Sequence, residues 1–141
     1  MLVTILKMKI RFLLFFLAIS LTSCSQSNQY VGEYVSNNNS SGIKQRYRLT
    51  LNLNGTFEFE QYWAQIGMNS ETQATGIEKG KGTWTIKSKL IMLSCNSMTD
   101  ITQDYRLDFD DTKVSILNDS IVRFVDSKMF WVVNMELKKR I

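Results

Sequence analysis

Two cysteines, Cys24 and Cys95, are the thiols of a chain of 141 residues that contains no histidine and no proline. Without an imidazole, the commonest general base and the commonest transition-metal ligand are both missing. A Ser-His-Asp triad, a Cys-His pair and a structural zinc site therefore cannot be assembled. Glu58 and Glu60 stand two apart, which sets both on one face of a strand, beside Arg48 on the neighbouring one. Glycoside chemistry needs two carboxyl groups facing each other across a cleft, so this pair reads as a solvated sheet surface. The glycine-rich run 76–82, GIEKGKG, lacks the Lys-Ser/Thr ending and the following helix of a phosphate loop. No metal, no cofactor and no enzyme activity are expected. The chemistry that remains belongs to the two thiols.

Cys24 closes the tetrapeptide Leu21-Thr22-Ser23-Cys24, which follows an uncharged apolar run, 12–21, and the basic residues Lys7, Lys9 and Arg11. A helix that crosses a bilayer needs ~20 apolar residues, so the run is too short to span but fits the core of a secretion signal. Small side chains at Thr22 and Ser23 leave the backbone open to a peptidase. The tetrapeptide resembles the bacterial lipobox, whose cysteine becomes the acylated mature N-terminus. That resemblance implies a signal peptide over 1–23, a lipidated Cys24 with a polar tether over 24–29, and one domain over 30–141. It also implies two or three acyl chains on Cys24. A single chain binds only reversibly at ~0.8 kcal/mol per buried methylene, so more than one is needed for durable attachment. Ser25 after the cysteine, with no acidic cluster behind it, implies an address at the outer membrane, on the periplasmic face of the bacterial envelope. With Cys24 acylated, Cys95 has no partner within the chain and no disulfide framework exists.

The charge balance changes once the signal is set aside. Of 17 Lys+Arg against 13 Asp+Glu, three basic residues and no acidic ones precede Cys24. The remainder is nearly neutral, and it lacks the basic stripe a nucleic acid requires. No nucleic-acid partner is expected.

The elements that must position Cys95 and the aromatic residues are short strands. Over 46–53, Tyr47, Leu49, Leu51 and Leu53 alternate with polar residues, and over 56–63 Phe57 and Phe59 alternate with Glu58 and Glu60. Period two predicts one buried and one wet face. A two-residue Asn54-Gly55 turn would set glutamate opposite leucine. A loop of Leu53-Asn54-Gly55, with Gly55 left-handed, pairs Leu51 with Phe57, Leu49 with Phe59 and Arg48 with Glu60. Strands over 82–87 and 90–95 pair Ile86 with Ile91 and Trp84 with Leu93, which makes Cys95 a buried structural thiol. Further strands are expected over 30–35, 105–109, 113–116, 121–125 and 129–138. Loops are expected over the Asn/Ser-rich 37–42, over 65–80 and over 96–103. The fold class is all-β: an antiparallel up-and-down meander of about eight strands closing as a barrel, with a β-sandwich as the alternative.

Gly32-x-Tyr34, Leu49-x-Leu51-x-x-x-Gly55-Thr56-Phe57 and Gly82-Thr83-Trp84-x-Ile86 resemble the lipocalin-like lipoproteins of bacterial envelopes, including the small lipocalin-like domains of Bacteroidetes. The resemblance implies a barrel that encloses a small apolar ligand, or an anchored domain that contacts envelope proteins. A pocket would be lined by Tyr47, Phe57, Phe59, Trp84 and Tyr105; alternatively these side chains fill the barrel. A partner protein would meet the stretch 129–137 (MFWVVNMEL, Met129 to Leu137), which is apolar on both alternations.

Overall fold

The computed structural model describes residues 28–141; Cys24, the signal expectation and the tether expectation up to residue 27 lie outside them, whereas Asn28 and Gln29 of the expected tether are held against the barrel, the Gln29 carbonyl accepting from Lys139 Nζ. Eight antiparallel strands in simple sequential order close into a barrel. They are β1 Gly32–Ser40, β2 Ile43–Leu51, β3 Thr56–Ile66, β4 Thr72–Lys87, β5 Leu90–Ser94, β6 Thr112–Asn118, β7 Ile121–Asp126 and β8 Glu136–Lys139. A 3-10 turn, Phe130–Val132, is their helical companion. The up-and-down barrel expected from the alternation is the fold, and the sandwich alternative falls.

The register of the β2–β3 hairpin follows from burial. Leu51 faces Phe57, Leu49 faces Phe59 and Arg48 faces Glu60, with Gly55 at φ 81°. Slipping this pairing by one residue would turn both phenylalanines into water. Across the outer face, Arg48 Nη2 reaches Glu60 Oε2 at 3.0 Å, a half-exposed pair contributing at most about 1 kcal/mol. The β4–β5 hairpin pairs Trp84 with Leu93 and Ile86 with Ile91, also as expected.

Four expected elements are corrected. First, β1 runs on through Asn37, Asn38 and Asn39 to Ser40, leaving Ser41 and Gly42 as the turn. A full ladder to β2 supplies the hydrogen bonds that overrule the poor strand propensity of asparagine. Second, β4 begins at Thr72, so most of 65–80 is strand and only a tight hairpin remains. Third, 105–109 is not a strand. It makes one ladder-like bond, Leu107 N–H to the Lys79 carbonyl at 2.9 Å. The reason lies in β4, which passes so close to its neighbours that only glycine fits. A Cβ on Gly80 would stand 2.7 Å from the Phe109 ring, and one on Gly82 would overlap the Ser94 carbonyl. The chain at 105–109 passes over β4 here and drops Phe109 into the space above Gly80. Fourth, the expected 129–138 strand is reduced to β8, Glu136–Lys139, and residues 129–135 do not pair in the sheet.

The barrel is taller on one side. Pairing between β1, β2, β3 and β4 extends over nine or more residue pairs per hairpin, whereas β8 meets β1 only at Tyr34 and Val35. β5 meets β4 only along Thr83–Lys87. The far halves of β1 to β4 thus project past the rim as a four-stranded sheet. Both of its outer edges, Ser36–Ser40 on β1 and 72–78 on β4, lack a neighbouring strand among the described residues.

Candidate functional site

The interior is built around Phe59, on the inner face of β3. Its ring centroid lies 4.7 Å from that of Phe109, 5.9 Å from Phe124 and 6.2 Å from Trp131. Phe57 meets Phe109 edge to face at 6.1 Å. Tilted and edge-on contacts of this kind suit the ring quadrupoles and add about 0.5–1.5 kcal/mol each beyond the area buried. Leu49, Leu51, Ile91, Leu93, Val114, Val122 and Leu137 complete a single buried cluster. An eight-stranded barrel is just wide enough to be filled by its own side chains, and here aromatic rings from four separate segments do so.

Of the five residues expected to line a pocket, Tyr47, Phe57, Phe59 and Trp84 belong to this cluster. Trp84 is positioned by its indole N–H, which donates to the Asn52 carbonyl at 3.0 Å. Tyr105 is corrected: it stands on the outer wall, in a groove with Glu33, Arg48, Glu58 and Lys79. Its ring covers Lys81 Nζ, 4.7 Å from the centroid. Because 105–109 is not a strand, Tyr105 does not share the inward direction of Leu107 and Phe109.

The rim beneath the projecting sheet is closed by residues 127–135. Trp131 lies against Tyr47 at 6.1 Å between centroids, and Val132 is fully buried. The plug is fastened at both ends. The Asn134 N–H donates to the Phe124 carbonyl (2.8 Å) and the Phe124 N–H to the Met135 carbonyl (3.0 Å). The Met129 N–H donates to Ser127 Oγ (3.1 Å), which shares a hydrogen bond with the buried Thr112 Oγ1 (2.9 Å). Apolar residues on both alternations of 129–137 are thus explained without a two-sided strand. Trp131 and Val132 turn in, and Phe130 is left 83% exposed. Sequence reasoning missed the projecting sheet. It shows only in the observed strand lengths, 9, 9, 11 and 16 residues for β1 to β4 against 5, 7, 6 and 4 for the rest, because the Asn-rich and polar residues of the added turns carry no alternating apolar pattern.

On the inner face of that sheet, in line with Tyr34, Tyr47 and Phe59, stand Ser36, Asn38, Gln45, Gln61, Trp63 and Glu78. Trp63 lies across Gly76, where a Cβ would collide with the indole. Ile43, Met68, Ile77 and Phe130 add exposed apolar surface to the same end of the molecule.

Cys95 is 9% exposed and its Sγ donates to the Lys81 carbonyl at 3.0 Å. Burial pushes the thiol up to about 11, from an ordinary 9.0, and repulsion from Asp108, Asp100 and Asp110 adds to it. Burial likewise raises the Tyr34 hydroxyl to about 12. The unfolded chain gives up these protons first, so the stability each contributes is full below its unfolded value and is lost as pH rises from 9.0 through about 11 for Cys95 and from 10.0 through about 12 for Tyr34. Two results are expected: Cys95 resists alkylation at neutral pH in the folded protein, and Cys95→Ala reduces the loss of stability between pH 9.0 and about 11. Titration with a thiol reagent, with and without denaturant, and denaturant melts across that window check them. Asp110 fastens this corner, accepting from the Cys95 N–H at 3.3 Å, from Ser94 Oγ at 3.1 Å and from Lys128 Nζ at 3.3 Å. Those bonds, the Cys95 N–H foremost, hold its carboxyl below the usual range.

No protein-family model and no curated protein matches the chain. Among solved structures, the chain is similar to the crystal structure of a candidate lipoprotein from Shewanella oneidensis. Sequence identity is 19%, coverage is 82% of this chain and 94% of that chain, and the TM-score is 0.47. A likeness of that size carries no argument about what this chain does.

Proposed function

We propose that the chain is a non-catalytic lipoprotein of the bacterial envelope, anchored through Cys24. It binds a protein partner at the rim formed by the projecting sheet of β1 to β4 and the loop bearing Phe130. The observation that carries this reading is the filled interior. With Phe59 packed against Phe109, Phe124 and Trp131, and Phe109 against Phe124, a small apolar ligand would have to displace a packed aromatic core. Exposed apolar residues stand at the rim instead, among them Ile43, Met68, Ile77 and Phe130. Exposed apolar surface beside unpaired strand edges suits a protein partner, which can cover side chains and add a strand together. The lipobox resemblance and Ser25 support an outer-membrane, periplasm-facing address.

A photo-crosslinking phenylalanine analogue placed at Phe130 or at Met68 in intact cells tests the reading. One discrete cross-linked protein is expected from both positions, and none from Leu53 at the opposite end. Absence of any cross-linked protein from the rim positions would overturn the partner reading.

A further inference from the structure

We infer that the end of the barrel from which the tether leaves is a docking surface for anionic phospholipid headgroups, so that the anchored protein stands upright with its rim directed away from the membrane. This rests on the Cys24 anchor proposed above and adds an orientation to it.

Three independent observations lead there. The first is where the tether arrives. Asn28 to Val31 are fixed beside the start of β1 and the end of β8. Lys139 Nζ donates to the Gln29 carbonyl at 2.6 Å, and the Tyr34 hydroxyl donates to the Tyr30 carbonyl at 2.8 Å. The few residues between Cys24 and Gln29 span at most ~3.5 Å each. An acylated Cys24 thus holds this end within about 20 Å of the headgroups, and the rim lies at the other end.

The second observation is charge. Lys87 and Lys89 occupy the β4–β5 turn and Lys138 lies near the end of β8; all three are exposed. Among the described residues, none of the ion pairs engages them. Arg140, also exposed, pairs with Glu33 at 3.1 Å, and Asp119 in the β6–β7 turn is the opposing charge on this end. The rim has the reverse balance. Asp100, Asp104, Asp108, Asp110, Asp111 and Asp126 crowd this end, with Lys113 and Lys128 already paired to three of them; together with Glu71 and Glu78 they outnumber the exposed Lys44, Arg46 and Arg106 that stand there too. A barrel basic at its tethered end and acidic at its far end is oriented by a negative surface. The third observation is Leu53, 71% exposed at the tip of the β2–β3 hairpin on the tethered end, where an apolar side chain can enter the headgroup region.

Each basic residue near an anionic surface favours docking about fivefold. The attraction fades beyond a Debye length of about 8 Å, a range that a short tether keeps within reach.

The test uses the acylated protein with Leu53→Cys labelled by an environment-sensitive fluorophore, Cys24 being acylated and Cys95 buried. It is reconstituted on vesicles of phosphatidylcholine or of equal parts phosphatidylcholine and phosphatidylglycerol. The expected result is a blue-shifted probe on the anionic vesicles only, reverted by molar salt. Lys87→Gln, Lys89→Gln and Lys138→Gln combined should lower the docked-to-free ratio about a hundredfold while the protein still floats with the vesicles. A probe equally exposed on both vesicles, with the protein still bound to them, would overturn the orientation and leave the anchor standing. Protein that fails to float with neutral vesicles would overturn the anchor itself, and the orientation with it. A probe buried equally on both vesicles would overturn the role of the lysines.

Discussion

Replacing Phe59 by alanine is expected to lower the unfolding free energy by about 3–5 kcal/mol. Phe59 is fully buried on β3 and touches Phe109, Phe124 and Trp131, which come from three other segments. None of these can collapse into the gap independently. Phe109 is held above Gly80, Phe124 lies in the β6–β7 hairpin, and Trp131 belongs to a plug fastened at both ends. The cavity term therefore adds in full to the lost transfer energy. In a domain of this size the melting temperature should fall by roughly 10–20 °C. Tyr105→Ala provides the contrast, because Tyr105 lies on the outer wall and touches Lys81. Its cost should stay near the ~0.5–1 kcal/mol of an exposed cation–π contact. Denaturant melts of the two variants decide the matter. Had Phe59 lined an open pocket, its truncation would merely widen a space already there, and the two variants would melt alike.

The second large effect concerns attachment. Cys24→Ala is expected to abolish incorporation of an acyl-chain label, whereas Cys95→Ala leaves it unchanged. The two thiols are separated by environment. Cys95 sits in the core with its Sγ bonded to the Lys81 carbonyl and its thiol pushed up to about 11, so it is neither accessible nor nucleophilic near neutral pH. Cys24 follows a short apolar run and two small residues. At ~0.8 kcal/mol per methylene, the two or three chains proposed there would move the protein from reversible contact to lasting residence on the membrane. Metabolic labelling with an alkyne fatty acid, read on a gel for the two variants, separates the outcomes. Label persisting in Cys24→Ala would place the anchor elsewhere.

Much of this architecture was legible wherever local pattern and tertiary pairing agree. Alternation in 46–53 and 56–63 set the β2–β3 register, because a one-residue slip exposes Phe57 and Phe59 together. The β4–β5 pairing of Trp84 with Leu93 was legible for the same reason, and it placed Cys95 inside. Where pairing partners override composition, the pattern misled. Asn37 to Asn39 look like a loop but have a strand beside them, and the Thr72 start of β4 is likewise dictated by β3. Tyr105, Leu107 and Phe109 alternate like a strand, yet they meet β4 through a single bond from Leu107 to Lys79, with the Phe109 ring seated against Gly80, and Tyr105 turns outward. In 129–137, apolar residues on both alternations reflect a plug, with Trp131 and Val132 inserted and Phe130 left out. Whether the inward aromatics wall a cavity or fill it depends on which rings meet. Phe109 and Phe124 reach Phe59 from distant segments, a fact that no spacing within one strand carries.

The most direct test of the filled barrel and of the proposed Cys24 anchor is native mass spectrometry of the protein purified from its native cells. The expected mass is that of the chain from Cys24 onward plus the acyl groups on Cys24, with no further molecule retained before or after unfolding. A stoichiometric apolar molecule that stays with the folded barrel and leaves only on unfolding would contradict it.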